Sequence, residues 1–357
     1  MIALLLSAAC AFILSIFGTP FLIRLLRARG IGQQIRDDGP FQHPHIAKAG
    51  TPTMGGLAII ISAFVGYVVA HVRTAELKFA RAGVTLMLLI VALGVVGFID
   101  DYLGVRLGRN LGLRKRGKTS GQLVVAVGFA LLALHYVETS THLSFTRLID
   151  LDLGSFLWTV WAVFIITGAS NGVNITDGMD GLAAGAATLV FFAFTVMAFW
   201  QFRHPTVYGS LSMTTAPEGF AANALDLAVV AAGMGGACAG FLWWNAAPAR
   251  IFMGDTGSLA VGGGMAGLAL LTNTNLLLPI LGGLFVVETA SVIAQVVAFR
   301  GFHRRVLRMA PIHHHYEVAG WPEFTVIVRF WLFAGLCVAF GLGLFYADFI
   351  RIPGVID

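Results

Sequence analysis

Apolar runs long enough to cross a lipid bilayer recur along the whole chain and are separated by short polar loops. Hydrophobic residues make up 57% of the 357 residues, whereas charged residues make up only 11%. The mean hydropathy is +0.83. Because a helix needs about 20 apolar residues to cross a bilayer, the composition excludes an ordinary soluble domain and predicts a polytopic membrane protein.

The placement of these runs predicts an all-α integral membrane protein with about ten transmembrane helices in a single domain, residues 1–357. The predicted spans lie at about 2–26, 52–71, 79–99, 121–138, 155–172, 181–202, 225–244, 257–272, 276–299 and 326–349. The first span is followed, not preceded, by basic residues, so we interpret it as a retained anchor whose N-terminus is outside. An even number of spans then places both termini outside.

The distribution of basic residues supports this orientation. Loops on one predicted side hold sixteen lysine and arginine residues, and those on the opposite side hold six. Such an excess marks the cytoplasmic side of a plasma membrane protein. The basic residues are not interleaved with aromatic residues, so the lipid bilayer is the predicted partner and nucleic acid is not.

Acidic clusters occur at the ends of the spans on this predicted cytoplasmic side. Asp100 and Asp101 end the third span, and Asp255 directly precedes the eighth. Carboxylates near a membrane are costly and usually mark chemistry. A transporter would place ionisable groups near the midplane in symmetric halves, and the sequence shows no internal repeat and no midplane acid pair. We therefore favour an enzyme that joins a water-soluble substrate to a lipid, with an ion-coupled transporter as the alternative.

Local spacing limits what these polar residues can do. Asp255 lies in a Gly-Asp-Thr-Gly turn, where it can bind a metal ion or cap the following helix. Asp100 and Asp101 point about 100° apart on a helix, so they cannot do identical jobs unless the helix unwinds. Four further polar residues recur at every third position and line one side of a helix or turn: Asn171, Asn174, Asp177 and Asp180.

Five segments of the chain, in order, resemble the motifs of the polyprenyl-phosphate N-acetylhexosamine-1-phosphate transferases: 48–56, 97–102, 171–183, 252–258 and 310–317. The last segment, with its triple histidine, resembles the branch that makes the first lipid intermediate of peptidoglycan. This resemblance implies transfer of a phospho-sugar from UDP-N-acetylmuramoyl-pentapeptide to undecaprenyl phosphate, with release of UMP. The alternative is a sister transferase that uses a UDP-N-acetylhexosamine donor for another glycan. The family also tends to form homodimers.

The implied reaction joins two anions, so an acid-rich site implies a divalent cation, for which Mg²⁺ is the natural candidate. We assign Asp255 and Asp101 as its ligands. The resemblance also makes Asp100 and Asp101 catalytic, either as a base or as a nucleophile that forms a covalent intermediate. The sequence does not decide between these roles. We favour direct attack, because a lipid phosphate is already largely ionised near neutral pH.

The resemblance further implies contacts with the nucleotide. It places Asp177 and Asp180 near the nucleoside, uracil on the ring of Phe252, and Gln295 nearby. Asn171 and Asn174 are the neighbouring candidates, with helix capping as their alternative role. Phe252 also fits a membrane-interface aromatic residue.

Lys48 and Lys118 match family lysines that bind phosphate, although both also fit positive-inside residues. The family usually has a lysine three residues after the acid pair. Here that position is Gly104, which leaves Arg106 and Lys118 as candidates for its phosphate contact.

His313, His314 and His315 are consecutive, so their side chains diverge and seldom reach a single metal ion. An imidazole beside a pyrophosphate tends to be protonated and donates a charged hydrogen bond. We therefore expect one or two of the three to contact substrate and the remainder to pack. We assign His314 to the catalytic group and His313 and His315 to substrate binding.

Overall fold

The computed structural model describes residues 1–32, 50–74, 77–107, 112–209 and 217–352. The predicted phosphate-binding residue Lys48 lies outside the described residues. Within them the chain is helical except for one short hairpin and the loops. The all-α class predicted from the sequence is confirmed.

The helices are α1 (Ile2–Ala28), α2 (Gly56–Arg73), α3 (Arg81–Arg106), α4 (Lys115–Leu132), α5 (Gly154–Thr176), α6 (Leu182–Arg203), α7 (Pro205–Gly209), α8 (Pro217–Asn245), α9 (Gly254–Leu271), α10 (Leu278–Leu281), α11 (Gly283–Phe302), α12 (Ile312–Val318) and α13 (Glu323–Phe349). Helix α4 continues as a π-helical turn, Ala133–Val137. Strands β1 (His142–Ser144) and β2 (Leu148–Asp152) form an antiparallel hairpin that the sequence analysis did not predict.

Nine helices of the described residues are long and apolar enough to cross a membrane. They coincide with nine of the ten predicted spans. The remaining predicted span, 257–272, corresponds to α9, which has 18 residues, six of them glycine. The bundle therefore has the number of long helices that the sequence predicts, whereas the orientation of the chain stays a prediction.

Helix α9 lies at the centre of the bundle, and each of its residues from Thr256 to Leu271 is buried. It packs against α2, α3, α5 and α6. A Cβ atom on Gly262 would lie 2.4 Å from the carbonyl oxygen of Ala169 in α5. Glycine thus lets the two backbones touch.

The same principle holds α1 against α8. A Cβ atom on Gly236 would lie 2.2 Å from the carbonyl oxygen of Ala8, and one on Gly240 would lie 2.5 Å from that of Phe12. The glycine runs in α8 and α9 therefore serve close helix packing, and neither forms a phosphate-binding loop.

The two ends of the bundle differ. At one end the hairpin is tied to α13, because Arg147 donates two hydrogen bonds of 2.7 and 2.8 Å to Asp348. At the other end lie the C-terminal ends of α3 and α5, the N-terminus of α9, and α12. We call this second end the site end, since the motif residues gather there.

Candidate active site

Two glycine-containing segments pair through their backbones at the site end. The amide of Phe252 donates to the carbonyl of Pro52 at 2.8 Å, and the amide of Gly55 donates back to Phe252 at 2.8 Å. The amide of Gly56 donates to Met253 at 2.9 Å. This pairing fixes the turn that leads into α9 and leaves the ring of Phe252 partly exposed.

The turn itself requires glycine at position 254. Gly254 has a φ of +71°, in the left-handed region that favours glycine. A Cβ atom there would lie 2.6 Å from Oδ2 of Asp101 and 2.8 Å from Oγ1 of Thr53. The small residue therefore lets the carboxylate of Asp101 approach the first turn of α9.

Asp101 caps α9 from a different helix. Its Oδ1 accepts a hydrogen bond from the amide of Asp255 at 3.0 Å. Its Oδ2 accepts hydrogen bonds from the amide of Thr256 at 2.9 Å and from the hydroxyl of Thr256 at 2.6 Å. A carboxylate at this position satisfies amides that have no partner within the helix and favours the positive end of its dipole. The sequence analysis weighed this capping role for Asp255, and the structure gives it to Asp101.

Asp255 is held by side chains from two neighbouring helices. The ammonium of Lys118 in α4 and the amide of Asn174 in α5 both donate hydrogen bonds to its carboxylate. Asn174 also donates to the hydroxyl of Ser258 at 2.8 Å. The side chain of Asp255 is 18% exposed and that of Lys118 is 21% exposed, so water and small ligands can reach both groups.

Asp100 faces Asp255, Lys118 and Asn174, and we call these four residues the carboxylate cluster. Its carboxyl group interacts directly with that of Asp255, and its Oδ2 lies 4.0 Å from Nζ of Lys118. Its Oδ1 accepts a hydrogen bond from the amide of Leu113 at 2.8 Å. The neighbouring acids Asp100 and Asp101 therefore make different contacts, as the helical geometry predicts.

Gly112, in the segment that precedes α4, lies against the backbone of α3. A Cβ atom on Gly112 would lie 1.7 Å from the carbonyl oxygen of Asp100 and 3.0 Å from the amide nitrogen of Gly104. The segment before α4 therefore packs directly on the last turns of α3. Arg106, one candidate for the missing phosphate contact, is exposed, whereas Lys118 lies in the cluster.

Asp177 follows the end of α5 and lies beside the cluster. The pKa of its carboxyl group is raised well above the usual range, first by its removal from water and then by the charges of Asp255 and Asp101. A hydrogen bond to the backbone of Gly254 opposes this shift. Asp177 is thus the acid of this loop that shares the electrostatic environment of Asp255.

Asn171 and Asp180, the other two of the four polar residues that recur at every third position, lie farther from the carboxylate cluster. Asp180 is 2% exposed, and its Oδ2 accepts a hydrogen bond from the amide of Ala249 at 2.9 Å. Asn171 donates to the carbonyl of Thr167 at 2.7 Å and to Oε1 of Gln122 at 3.2 Å. Of these four residues, Asn174 therefore belongs to the carboxylate cluster and Asp177 lies beside it.

The three histidines do not all diverge as predicted, because the rings of His313 and His314 lie together with centroids 4.2 Å apart, but each histidine has its own partner. Nδ1 of His313 lies 2.9 Å from Oε2 of Glu288, and both side chains are fully buried. Nδ1 of His314 lies 2.6 Å from Oε2 of Glu317. Nδ1 of His315 accepts the amide of Arg308 at 3.0 Å.

The assigned substrate-binding role of Gln295 is not visible in its contacts. Its Oε1 accepts hydrogen bonds from the amides of Val306 at 3.1 Å and Leu307 at 2.9 Å. Its Nε2 donates to the carbonyl of Leu307 at 3.2 Å. The side-chain amide therefore fixes the turn between α11 and α12.

The sequence analysis missed three residues that contact the side chains of the site: Thr256, Ser258 and Glu288. Thr256 and Ser258 follow Asp255 directly, so the hydroxyl residues of the motif were an available signal. Glu288 was hidden within an apolar run, and its partner His313 is 25 residues away. Its position inside a span was the signal, because an acid there is rarely without a role.

The arrangement fits a divalent metal ion. Two carboxyl groups in direct contact repel each other when both are ionised, and a cation between them offsets that repulsion. Mg²⁺ is usually bound by one or two carboxylates together with waters and substrate phosphates. No group of three or more His, Cys, Asp or Glu side chains in the described part of the chain could hold a metal ion by itself. The residues thus suit an ion shared with a phosphate substrate.

Comparison with known proteins agrees with this geometry. Residues 83–273 match the family model for glycosyl transferase family 4. Residues 48–60 match signature 1 of phospho-N-acetylmuramoyl-pentapeptide-transferase. Proteins of that name are similar over nearly the whole chain in Frankia casuarinae, with 49% identity over 98% of this chain and 99% of the relative. Those of Saccharopolyspora erythraea (49%, covering 98% of each chain) and Streptomyces coelicolor (48%, covering 96% and 98%) are also similar.

Proposed function

The chain belongs to the phospho-N-acetylmuramoyl-pentapeptide transferases of glycosyl transferase family 4, and from this membership we propose how its site end performs the reaction. The chain is a multi-pass membrane enzyme that transfers phospho-N-acetylmuramoyl-pentapeptide to a lipid carrier in peptidoglycan synthesis. We identify the donor as UDP-N-acetylmuramoyl-pentapeptide and the carrier as undecaprenyl phosphate, with lipid I and UMP as the products.

In this proposal the chain lies in the plasma membrane, and its site end faces the cytoplasm. Sixteen basic residues on the predicted site side against six on the other support this orientation. A nucleotide donor is made in the cytoplasm and cannot cross the bilayer, so its site must open on this side. The chain forms one membrane domain, residues 1–357, and we expect it to assemble as a homodimer.

An apolar cavity of about 300 Å³ between α5 and α11 suits the lipid carrier. Phe164, Val173, Phe285 and Ile293 are among its lining residues. Val173 directly precedes Asn174, whose amide contacts Asp255, so one end of the cavity lies beside the carboxylate cluster. A polyprenyl chain entering sideways from the bilayer can place its phosphate at this cluster.

Asp255 and Asp100 are positioned to hold Mg²⁺, and Asn174 orients the carboxylate of Asp255. When bound, the ion neutralises charge on the pyrophosphate and stabilises the leaving nucleotide. The sequence analysis assigned Asp101 as a ligand, but both of its oxygens already accept hydrogen bonds from α9. The geometry therefore favours Asp100 over Asp101 for this role.

The remaining residues bind and orient the reactants. Lys118 offsets the charge of Asp255 and can donate to a substrate phosphate. Asp177 and the partly exposed ring of Phe252 flank the same turn and serve the nucleoside, the ring by stacking on uracil. His314, whose Nε2 lies near Gly178, is the histidine that donates to a substrate phosphate in this proposal.

The attack itself needs little proton transfer. The second pKa of a phosphate monoester is about 6, so the lipid phosphate is largely a dianion at neutral pH. A single in-line displacement by its oxygen then forms the new pyrophosphate bond as the bond to UMP breaks. Asp100 does not need to act as a base or as a covalent nucleophile in this scheme.

The observation that carries this proposal is the convergence of Asp100, Asp255, Lys118 and Asn174 from four helices at the site end. The test is release of UMP by the purified protein in detergent with Mg²⁺, undecaprenyl phosphate and either the pentapeptide donor or UDP-N-acetylglucosamine. Asp255→Asn is the matched control.

Turnover with the pentapeptide donor alone, lost in Asp255→Asn, is the expected result. Turnover only with UDP-N-acetylglucosamine would move the chain to the sister transferases. A folded protein that releases UMP from neither donor would favour the transporter alternative, because transport in detergent leaves no product.

A further inference from the structure

Helix α11 contains a fully buried acid, Glu288, that the reaction scheme does not use. Its Oε2 lies 2.9 Å from Nδ1 of His313, which is also fully buried. An ionised Glu288 can only accept this hydrogen bond, and the proton of the pair then lies on Nδ1 of His313. A charged group within a span is costly unless it is paired, so the contact fixes both the ring and the helix that carries it.

A second contact joins the same two helices. The hydroxyl of Ser291 donates to the carbonyl of Glu288 at 2.6 Å and accepts the amide of Ile312 at 3.0 Å. Ile312 is the first residue of α12 and directly precedes His313. The start of α12 is therefore anchored on one turn of α11, through a side chain and a backbone amide.

The far edge of the His313 ring points at the loop that carries Asp177. A Cβ atom on Gly178 would lie 2.5 Å from Nε2 of His313 and 3.3 Å from Nε2 of His314. Nε2 of His313 is buried and has no hydrogen-bond partner among the residues that the structure describes. The two rings, whose centroids are 4.2 Å apart, thus press on the backbone of Gly178, next to Asp177.

We propose that Glu288 is a positioning residue for the transferase reaction: it holds His313 against Gly178 and so sets the loop in which Asp177 faces the nucleotide. This inference rests on the proposed function, because Asp177 and its loop are taken to serve the nucleoside. His313, which the sequence analysis assigned to substrate binding, acts in this scheme from behind the loop. The hydrogen bond accepted by Glu288, and not merely the volume of its side chain, is the required feature.

The test compares two replacements of similar size. Glu288→Gln keeps an oxygen that can accept the Nδ1 proton, whereas Glu288→Met removes it. Val287→Met is the matched control, since Val287 is the exposed apolar neighbour on the same helix. The measurements are the Kd of UMP by calorimetry, the KM values of the two substrates, and the melting temperature in detergent.

We expect Glu288→Met to raise the Kd of UMP and the donor KM about tenfold, which corresponds to about 1.4 kcal/mol, the size of one hydrogen bond. The KM for undecaprenyl phosphate should remain within about twofold, because the side chain of Glu288 does not line the lipid cavity. Glu288→Gln and Val287→Met should bind UMP within about threefold of the unaltered protein.

Gly178→Ala tests the same contact from the loop and does not depend on the folding of a Glu288 variant. It should give the same nucleotide-specific defect, and its effect should not add fully to that of Glu288→Met. The inference would be overturned if Glu288→Gln and Glu288→Met lost UMP affinity equally. It would also be overturned if UMP binding were unchanged in both Glu288→Met and Gly178→Ala. An unaltered protein that neither binds nor releases UMP would instead overturn the proposed function.

Discussion

The cap that Asp101 places on α9 can be tested by comparing Asp101→Asn with Asp100→Asn. Asp101 accepts three hydrogen bonds from the first turn of α9. An asparagine has one oxygen, so its NH₂ group must face at least one of these donors. The variant loses a hydrogen bond to a charged group, leaves a buried donor without a partner, and removes a charge from the helix N-terminus.

The expected cost is about 2–4 kcal/mol, from about 1.5–3 kcal/mol for the lost hydrogen bond to a charged group and about 0.3–1 kcal/mol for the lost charge at the helix end. Unfolding entropy is about 2.1 cal/mol/K per residue. For a chain of 357 residues, Asp101→Asn should therefore lower the melting temperature by about 3–5 °C.

Asp100→Asn should behave differently. Its remaining oxygen can still accept the amide of Leu113, and the change removes a negative charge that faces Asp255. The melting temperature should not fall, although UMP release should be lost in both variants. Thermal unfolding in detergent, followed by tryptophan fluorescence, provides the comparison.

The hydroxyl of Thr256 gives a second perturbation of the same cap. Thr256→Val removes one of the three hydrogen bonds to Asp101, whereas Thr256→Ser keeps it. The effect of Thr256→Val on the melting temperature should be smaller in the Asp101→Asn background. Equal melting temperatures for Asp100→Asn and Asp101→Asn would refute the assignment of Asp101 as the cap.

Three further outcomes follow from the geometry. Gly97→Ala should lower UMP release about 100-fold, because its Cβ atom would lie 2.2 Å from the backbone oxygen of Asp255 and misplace the carboxylate. Gly94→Ala should retain activity, because its Cβ atom would clash only with Cδ1 of Ile60, the end of a flexible side chain. Lys118→Met should reduce kcat about 100-fold, and no loss relative to Lys115→Met, an exposed lysine of the same helix, would contradict its role. Chelation with EDTA should abolish UMP release and added Mg²⁺ should restore it, with Asp255→Asn needing more Mg²⁺ for any residual rate; activity that persists in EDTA would exclude the ion.

Helix positions and the gathering of the acid motifs near helix ends could be predicted from the sequence because both depend on local pattern. Apolar runs of span length mark helices wherever they occur, and the acid motifs lie at their ends. The roles within the site were harder to predict. Asp101 and Asp255 are both acids near a helix end, and which one caps α9 depends on a contact between residues 154 positions apart. No spacing rule reports such a contact.

Glu288 shows a second limit of sequence pattern. Within an apolar run it resembles a tolerated polar residue, and the sequence analysis looked for acid pairs near the midplane. The actual partner is His313, which returns into the bundle from a short helix outside the predicted spans. The short β1–β2 hairpin was missed for a related reason, since strands of three and five residues leave too little alternation to detect.

Asp100 and Asp101 are adjacent in α3, so the contact that caps α9 and the contact with Asp255 lie next to each other. Because neighbouring residues on a helix point about 100° apart, one acid can bind the backbone of α9 while the next faces Asp255. The distance between Asp100 and Asp255 is then set by a hydrogen-bonded contact one residue away, and not by loose loops. A shift of either helix would change that distance and break the cap at once. In the proposed mechanism the paired acids therefore serve as one unit, in which Asp101 fixes the distance between Asp100 and Asp255.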